Sequence, residues 1–247
     1  MISATIIAQD EERAIGDCIE SVRGFCGEVL LVDGGSRDRT REVASRITGV
    51  RILERAFDDF ARQHEFARGE AKGEWILSID ADERASPELA RVKPGEHAAY
   101  SLPFKNHFRG IWLRHGGFWP DRHVRLFRRD ACRYDLSRTV HEKLLIDGST
   151  ASLDAPILHF TYDSLEDCLA KMTRYGLGAA QMLHAQGRRA TAFDIAVRPS
   201  WRFFRGYVLK AGFLDGAAGA AMAWARAYEA YVKYARLWEY SRLKPAA

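Results

Sequence analysis

Apolar residues recur along the first third of the chain with two alternating periods. Short aliphatic or β-branched runs at residues 3–8, 28–33, 50–53 and 75–79 predict buried strands. Between them, residues 14–23, 39–47 and 60–71 carry apolar positions at helical spacing. Strands alternating with helices predict parallel strands joined by crossovers, hence an α/β fold with a mostly parallel central sheet. Residues 124–129 alternate as a strand with basic positions, and residues 155–160 read as a last edge strand. From residue 165 to 186 the period is helical again and stops at Gly187-Arg188-Arg189. Trp224, Tyr228, Tyr231, Ala235 and Trp238 then form a stripe at helical spacing, equally consistent with a core face and a membrane-interface face.

Composition narrows this picture. At 247 residues and 47% hydrophobic content, the chain is long enough for one α/β domain with a helical appendage, and nothing in it is low-complexity. The expected division is 1–162 for the α/β domain, with halves of about 1–95 and 96–162, and 163–247 for a basic helical extension. Cys18, Cys26, Cys132 and Cys168 lack zinc-site spacing and follow no secretory signal, which predicts reduced thiols and a cytoplasmic location. The longest charge-free apolar run, 216–225, is about half of the ~20 residues a spanning helix needs. Charge is uneven: residues 163–247 carry 13 Lys and Arg against 7 Asp and Glu. A basic face of this kind attracts nucleic acid, anionic lipid or an acidic substrate, or is simply solvated.

The candidate chemistry begins where the 75–79 run ends abruptly in Asp80-Ala81-Asp82-Glu83. Ligands of open α/β sheets gather beyond the carboxyl ends of strands, and an Asp-x-Asp there can hold a hard divalent cation against a diphosphate. The dinucleotide fingerprint is missing after the first strand, where Gln9-Asp10-Glu11-Glu12 stands, which argues against hydride transfer. The second strand ends in Asp33-Gly34-Gly35-Ser36-Arg37-Asp38, whose glycines permit tight backbone geometry beside an acceptor carboxylate. Residues 100–127 are dense in aromatics, glycine and base, including Gly116-Gly117 and Asp121, fitting either a sugar-binding loop or an aromatic hairpin sealing a core.

Taken together, residues 3–9, Asp33-Gly34-Gly35-Ser36-Arg37-Asp38 and Asp80-Ala81-Asp82 resemble the donor-binding half of the family 2 glycosyltransferases, inverting enzymes of the Rossmann-like GT-A fold. Gly34 departs from that family's usual Asp-Asp-Gly-Ser-x-Asp. The resemblance implies a nucleotide-sugar donor, UDP-linked in this chain's case, cradled near Ala8, Glu11 and Ala81, with Asp33 on the base and Asp80 on the ribose. It implies Asp82 as ligand to Mn2+ or Mg2+, with His159 as a further metal ligand. Arg62 and Gln63 stand where polar donor contacts occur, and fit a helix surface equally well. Thr139-Val140-His141-Glu142 occupies the place of the catalytic Glu-Asp motif, so Glu142 is the expected base, with His141 able to serve instead. Asp121 is either an acceptor-binding carboxylate or a turn cap.

His159-Phe160-Thr161-Tyr162, Lys171, Arg174-Tyr175, Phe203-Phe204 and Gly212-Phe213-Leu214-Asp215-Gly216 extend the resemblance to the branch of lipopolysaccharide core heptose glucosyltransferases. That branch implies hexose transfer, typically of glucose, to a lipid-linked glycan acceptor, with peripheral contact at the inner face of the cytoplasmic membrane and no nucleic acid. A polyprenyl-phosphate sugar synthase and a non-catalytic basic module binding lipid or nucleic acid are the competing readings. The sequence does not choose the oligomeric state.

Overall fold

The computed structural model describes residues 1–137 and 143–242. Its N-terminal part runs β1 (Ile2–Ala8), α1 (Ile15–Arg23), β2 (Glu28–Asp33), α2 (Thr40–Ser45), β3 (Val50–Glu54), α3 (Phe60–Glu70) and β4 (Trp75–Asp80). β1 pairs in parallel with both β2 and β4, and β2 with β3. β1, β2 and β4 are largely apolar and buried because both faces are covered, whereas β3 at the sheet's end is only half-buried. On one face Ala4, Ile6, Val29, Leu31, Leu77 and Ile79 meet the α1 stripe, whose Ile15, Cys18, Ile19 and Val22 stand at i, i+3, i+4 and i+7. On the other, Ile7, Leu30, Val32 and Ile76 meet Ala67 of α3. Asp59 caps α3 by accepting from the Arg62 backbone N–H.

The chain continues as β5 (Glu83–Ala85), β6 (Ala99–Phe108), β7 (Ile111–Trp112), β8 (Asp121–Arg128), β9 (Cys132–Tyr134), β10 (Leu144–Ile146), β11 (Thr150–Ser152) and β12 (Ile157–Tyr162). The sheet order is β3-β2-β1-β4-β8-β6-β12-β5. The sheet is therefore mixed: β8 runs antiparallel to β4 and β6, and β5 antiparallel to β12, while outside the N-terminal alternation β11 pairs in parallel with β6. The stretch 100–127 is largely strand, in line with the hairpin alternative, and one sequence expectation changes: residues 155–160 do not form an edge, because β5 covers β12 on its outer side. All four cysteines are free thiols. Burial pushes the Cys26 thiol up to about 12 and the Cys132 and Cys168 thiols up to about 11, so none is a ready nucleophile.

The chain divides into two compact units, Met1–Phe104 with Asp121–His159, and Lys105–Pro120 with the described residues from Phe160 onward. Residues 105–120 thus group with the helices, and the division after β12's His159 comes earlier than the expected one at residue 162. The second unit contains α4 (Leu165–Ala185), α5 (Ala192–Phe204) and α6 (Gly216–Arg242). Ser164 caps α4, and Thr191 with Asp194 forms a capping box on α5. α4 and α6 approach through small residues: a Cβ on Gly176 would stand 2.9 Å from the Glu229 carbonyl oxygen. Phe108, Leu113, Phe118, Tyr162, Met172 and Met222 form this unit's own core.

Candidate active site

β4 delivers its carboxylates because its buried apolar run ends at Ile79, leaving Asp80 at the sheet's carboxyl edge. The Asp80 Oδ2 accepts a hydrogen bond from Arg125 Nη2 at 2.7 Å, and Oδ1 lies 3.8 Å from His64 Nε2. The same Arg125 Nη2 donates to Glu83 Oε1 at 2.7 Å, while Glu83 Oε2 accepts from the Asp80 backbone N–H at 2.9 Å. One guanidinium therefore clamps two carboxylates and fixes the turn after β4. Burial pushes the Asp80 carboxyl up, but the charge and hydrogen bond of Arg125 together with His64 and His159 hold the group below the usual carboxylate range. Burial and the neighbouring Asp80 charge push Glu83 up against the pull of Arg125. Ser78, on the same face of β4 as Asp80, accepts from Tyr134 Oη at 3.3 Å and lies 3.4 Å from His64 Nδ1; the His64 and Tyr134 rings stack.

The pairing of β12 with β5 sets His159 opposite Glu83. This register brings His159 Nε2 to 3.4 Å from Asp82 Oδ2. One ligand atom from each of Asp82, Glu83 and His159 falls within 4.8 Å of the others. Burial lowers the His159 pKa, and the Asp82 contact together with the charges of Glu83 and Asp80 raises it, for a net upward shift. Both Glu83 oxygens also accept internal hydrogen bonds, so within this group Glu83 is the most firmly held. Among the described residues the buried Asp80 Oδ1 accepts no hydrogen bond. Carboxylate oxygen and imidazole nitrogen at this spacing fit Mn2+ or Mg2+.

The two loops beyond β1 and β2 are laced together. Ser36 Oγ accepts from the Asp10 N–H, Thr40 Oγ1 from the Glu11 N–H, and Asp38 Oδ2 from the Glu12 N–H. Asp33 is fully buried: Oδ2 accepts from the N–H groups of Gly35 and Ser36, and Oδ1 from Ser36 Oγ at 2.5 Å. A Cβ on Gly34 would meet the Ala8 carbonyl oxygen and the Cβ atoms of Gln9 and Phe57, each at 3.3 Å, so the close approach of these loops accounts for a glycine there. Ala8 and Ala81 are buried beside the loops. Gln63 is buried and bonded to Arg55 through both ends of its amide, whereas Arg62 pairs with the Asp59 cap. Asp121 begins β8 with its carboxylate 3.1 Å from His123 Nε2. Gly116 belongs to the second unit, where its N–H donates to the Lys210 carbonyl oxygen and its own carbonyl accepts from Arg226. Glu142 and His141 lie outside the described residues.

The sequence pattern shows Glu83 in the acidic run and Arg125 among the basic strand positions but assigns no site role to either, nor to His64. The available signal was an arginine inside the otherwise apolar run Val124-Arg125-Leu126-Phe127, which predicts a buried cation with acidic partners.

Residues 3–95 match the family described as Glycosyl transferase family 2. The lipopolysaccharide core biosynthesis glycosyltransferase LpsC of Rhizobium meliloti (strain 1021) is 30% identical over 252 residues, covering 95% of this chain and 93% of LpsC. The chain belongs to glycosyltransferase family 2. An uncharacterized glycosyltransferase of Rickettsia typhi, RT0209, is 26% identical over 97% of this chain and 87% of its own length. Among solved structures, Staphylococcus aureus TarS 1-349 in complex with UDP is 14% identical with a TM-score of 0.48, covering 98% of this chain and 91% of that one. A family 2 glycosyltransferase takes a nucleotide-sugar donor and a glycan acceptor, and the mixed sheet with its C-terminal helices is the corresponding GT-A arrangement.

Proposed function

We propose that this family 2 enzyme is inverting and divalent-metal-dependent, and that it moves a hexose, glucose, from a UDP-linked donor to a lipid-linked glycan of the lipopolysaccharide inner-core class. The observation that carries the reading is the approach of Asp82 to His159 beside the clamped Asp80. The name of LpsC, a lipopolysaccharide core biosynthesis enzyme, supports the acceptor class. A peripheral position at the inner face of the cytoplasmic membrane follows from such an acceptor.

Within this reading Asp82 and His159 hold Mn2+ or Mg2+, which when bound neutralises the charge of the departing diphosphate. Asp80 addresses the ribose, kept ionised and aimed by Arg125. Glu83 holds the turn rather than the ligand. The buried Asp33 shapes the base-side loop through Gly35 and Ser36 rather than touching the base itself. Glu142 takes the proton from the acceptor hydroxyl as it attacks the anomeric carbon, and Asp121 orients that acceptor. The test supplies purified protein with UDP-glucose and other UDP-sugars, truncated core glycolipids or polyprenyl phosphate, and Mn2+ or a chelator. Transfer to the core glycolipid with inverted anomeric configuration, lost in chelator and in Glu142→Gln, is the expected result. Transfer to polyprenyl phosphate alone, or full turnover by Glu142→Gln, would overturn the reading.

A further inference from the structure

Helix α5 has a strongly two-sided sequence yet buries none of its residues. Ile195, Pro199 and Phe203 form its half-buried side, with Phe203 packed on Trp224 of α6 at a 4.4 Å centroid distance. Phe193, Val197, Trp201 and Phe204 follow at spacings of four, four and three, and so share one helix face turned away from that side; all are exposed, Phe193 by 71% and Trp201 by 54%. The apolar surface continues past the helix end through the exposed Val208, Leu209, Phe213 and Leu214. In a helix of this length the outer face is ordinarily polar, and a contiguous apolar one marks an interaction surface.

The flank of that stripe is cationic. Arg198, Arg202 and Arg205 recur at helical spacing and line an open groove with Trp201, Lys233 and Tyr234. Asp194 pairs with Arg198 at 2.6 Å and Glu229 also reaches the groove, which leaves an excess of positive charge along it. Among the described residues no helix is long and apolar enough to cross a membrane. An apolar stripe with a ridge of arginines beside it, on a helix that cannot span, matches the interface of an anionic bilayer: rings and aliphatic groups enter at headgroup depth, and guanidinium groups meet lipid phosphate.

We propose that α5 and the apolar turn after it form an in-plane anchor that docks the second unit on an anionic phospholipid surface. Docking goes with a membrane-linked acceptor, but it is measured without sugar donor or acceptor, so either reading can fail alone. The experiment is co-sedimentation of the full chain with vesicles of phosphatidylcholine, and of phosphatidylcholine with about one-third phosphatidylglycerol. The full chain should prefer the anionic vesicles by about tenfold or more, a preference that high salt removes. Trp201→Ser with Phe204→Ser should weaken binding to both vesicle types, whereas Arg202→Glu with Arg205→Glu should abolish only the anionic preference. The second pair alters exposed polar positions alone, so it stays informative should the first pair misfold; circular dichroism checks both. Equal recovery with the two vesicle types, or undiminished binding by both variants, would overturn the proposal. So would self-association that the first pair abolishes without any vesicle binding, which would assign the face to a second copy of the chain.

Discussion

Arg125 carries an unusual electrostatic burden, because its guanidinium is nearly buried and faces two carboxylates that β4 and β5 hold in place. Removing one partner of such a cluster leaves charge without compensation in a poorly solvated site, which costs about 3–5 kcal/mol. Arg125→Met should therefore lower unfolding free energy by about 3 kcal/mol or more in urea titrations, and also weaken donor binding by releasing Asp80. Unchanged stability would mean that the clamp is not formed. Ser36 works at the same scale: its hydroxyl donates to Asp33 and accepts from the Asp10 N–H, so Ser36→Ala should cost about 1–3 kcal/mol by stranding both. At this scale the sequence showed the acids but not their management. Asp80 and Asp82 stand out because an apolar strand that stops abruptly in carboxylates places charge where an α/β sheet collects its ligands. The clamp does not, because Arg125 meets Asp80 across 45 residues of chain, and no local pattern encodes which buried cation answers which acid.

Among the elements, β1 to β4 and their helices were legible because each keeps one period throughout and buries it on a known side. β5, β9 and β10 are three residues each, too short for a period, and their pairing alone defines them. β12 looked like an edge because its partner β5 is one of these short strands, and that partner is what sets His159 opposite Glu83. The aromatic stripe of α6 stayed ambiguous because rings serve cores and interfaces alike. In the structure Trp224, Tyr228 and Tyr231 are exposed, and the helix instead buries a line of mostly small residues that includes Ala218, Met222, Ala225 and Leu237. That line works because α4 presents Gly176 to it. Gly176→Val should destabilise the second unit by about 2 kcal/mol, since its β-branched side chain would press on the Glu229 carbonyl and Val232. A thermal melt showing no loss would imply that the two helices separate more easily than their packing indicates.

For the whole molecule, charge and chemistry are divided along the chain. The metal-binding pair proposed above and the acidic clamp belong to the first unit, while the basic excess and most exposed aromatic side chains belong to the second. In the function proposed above, Asp82 and His159 make donor binding depend on a divalent cation. Calorimetric titration of the full chain with UDP, in Mn2+ and again in chelator, tests it most directly. The expected result is binding in Mn2+ that the chelator abolishes and that Asp82→Asn weakens by about tenfold or more with the fold intact. UDP binding of equal affinity in chelator, undiminished in Asp82→Asn, would contradict it.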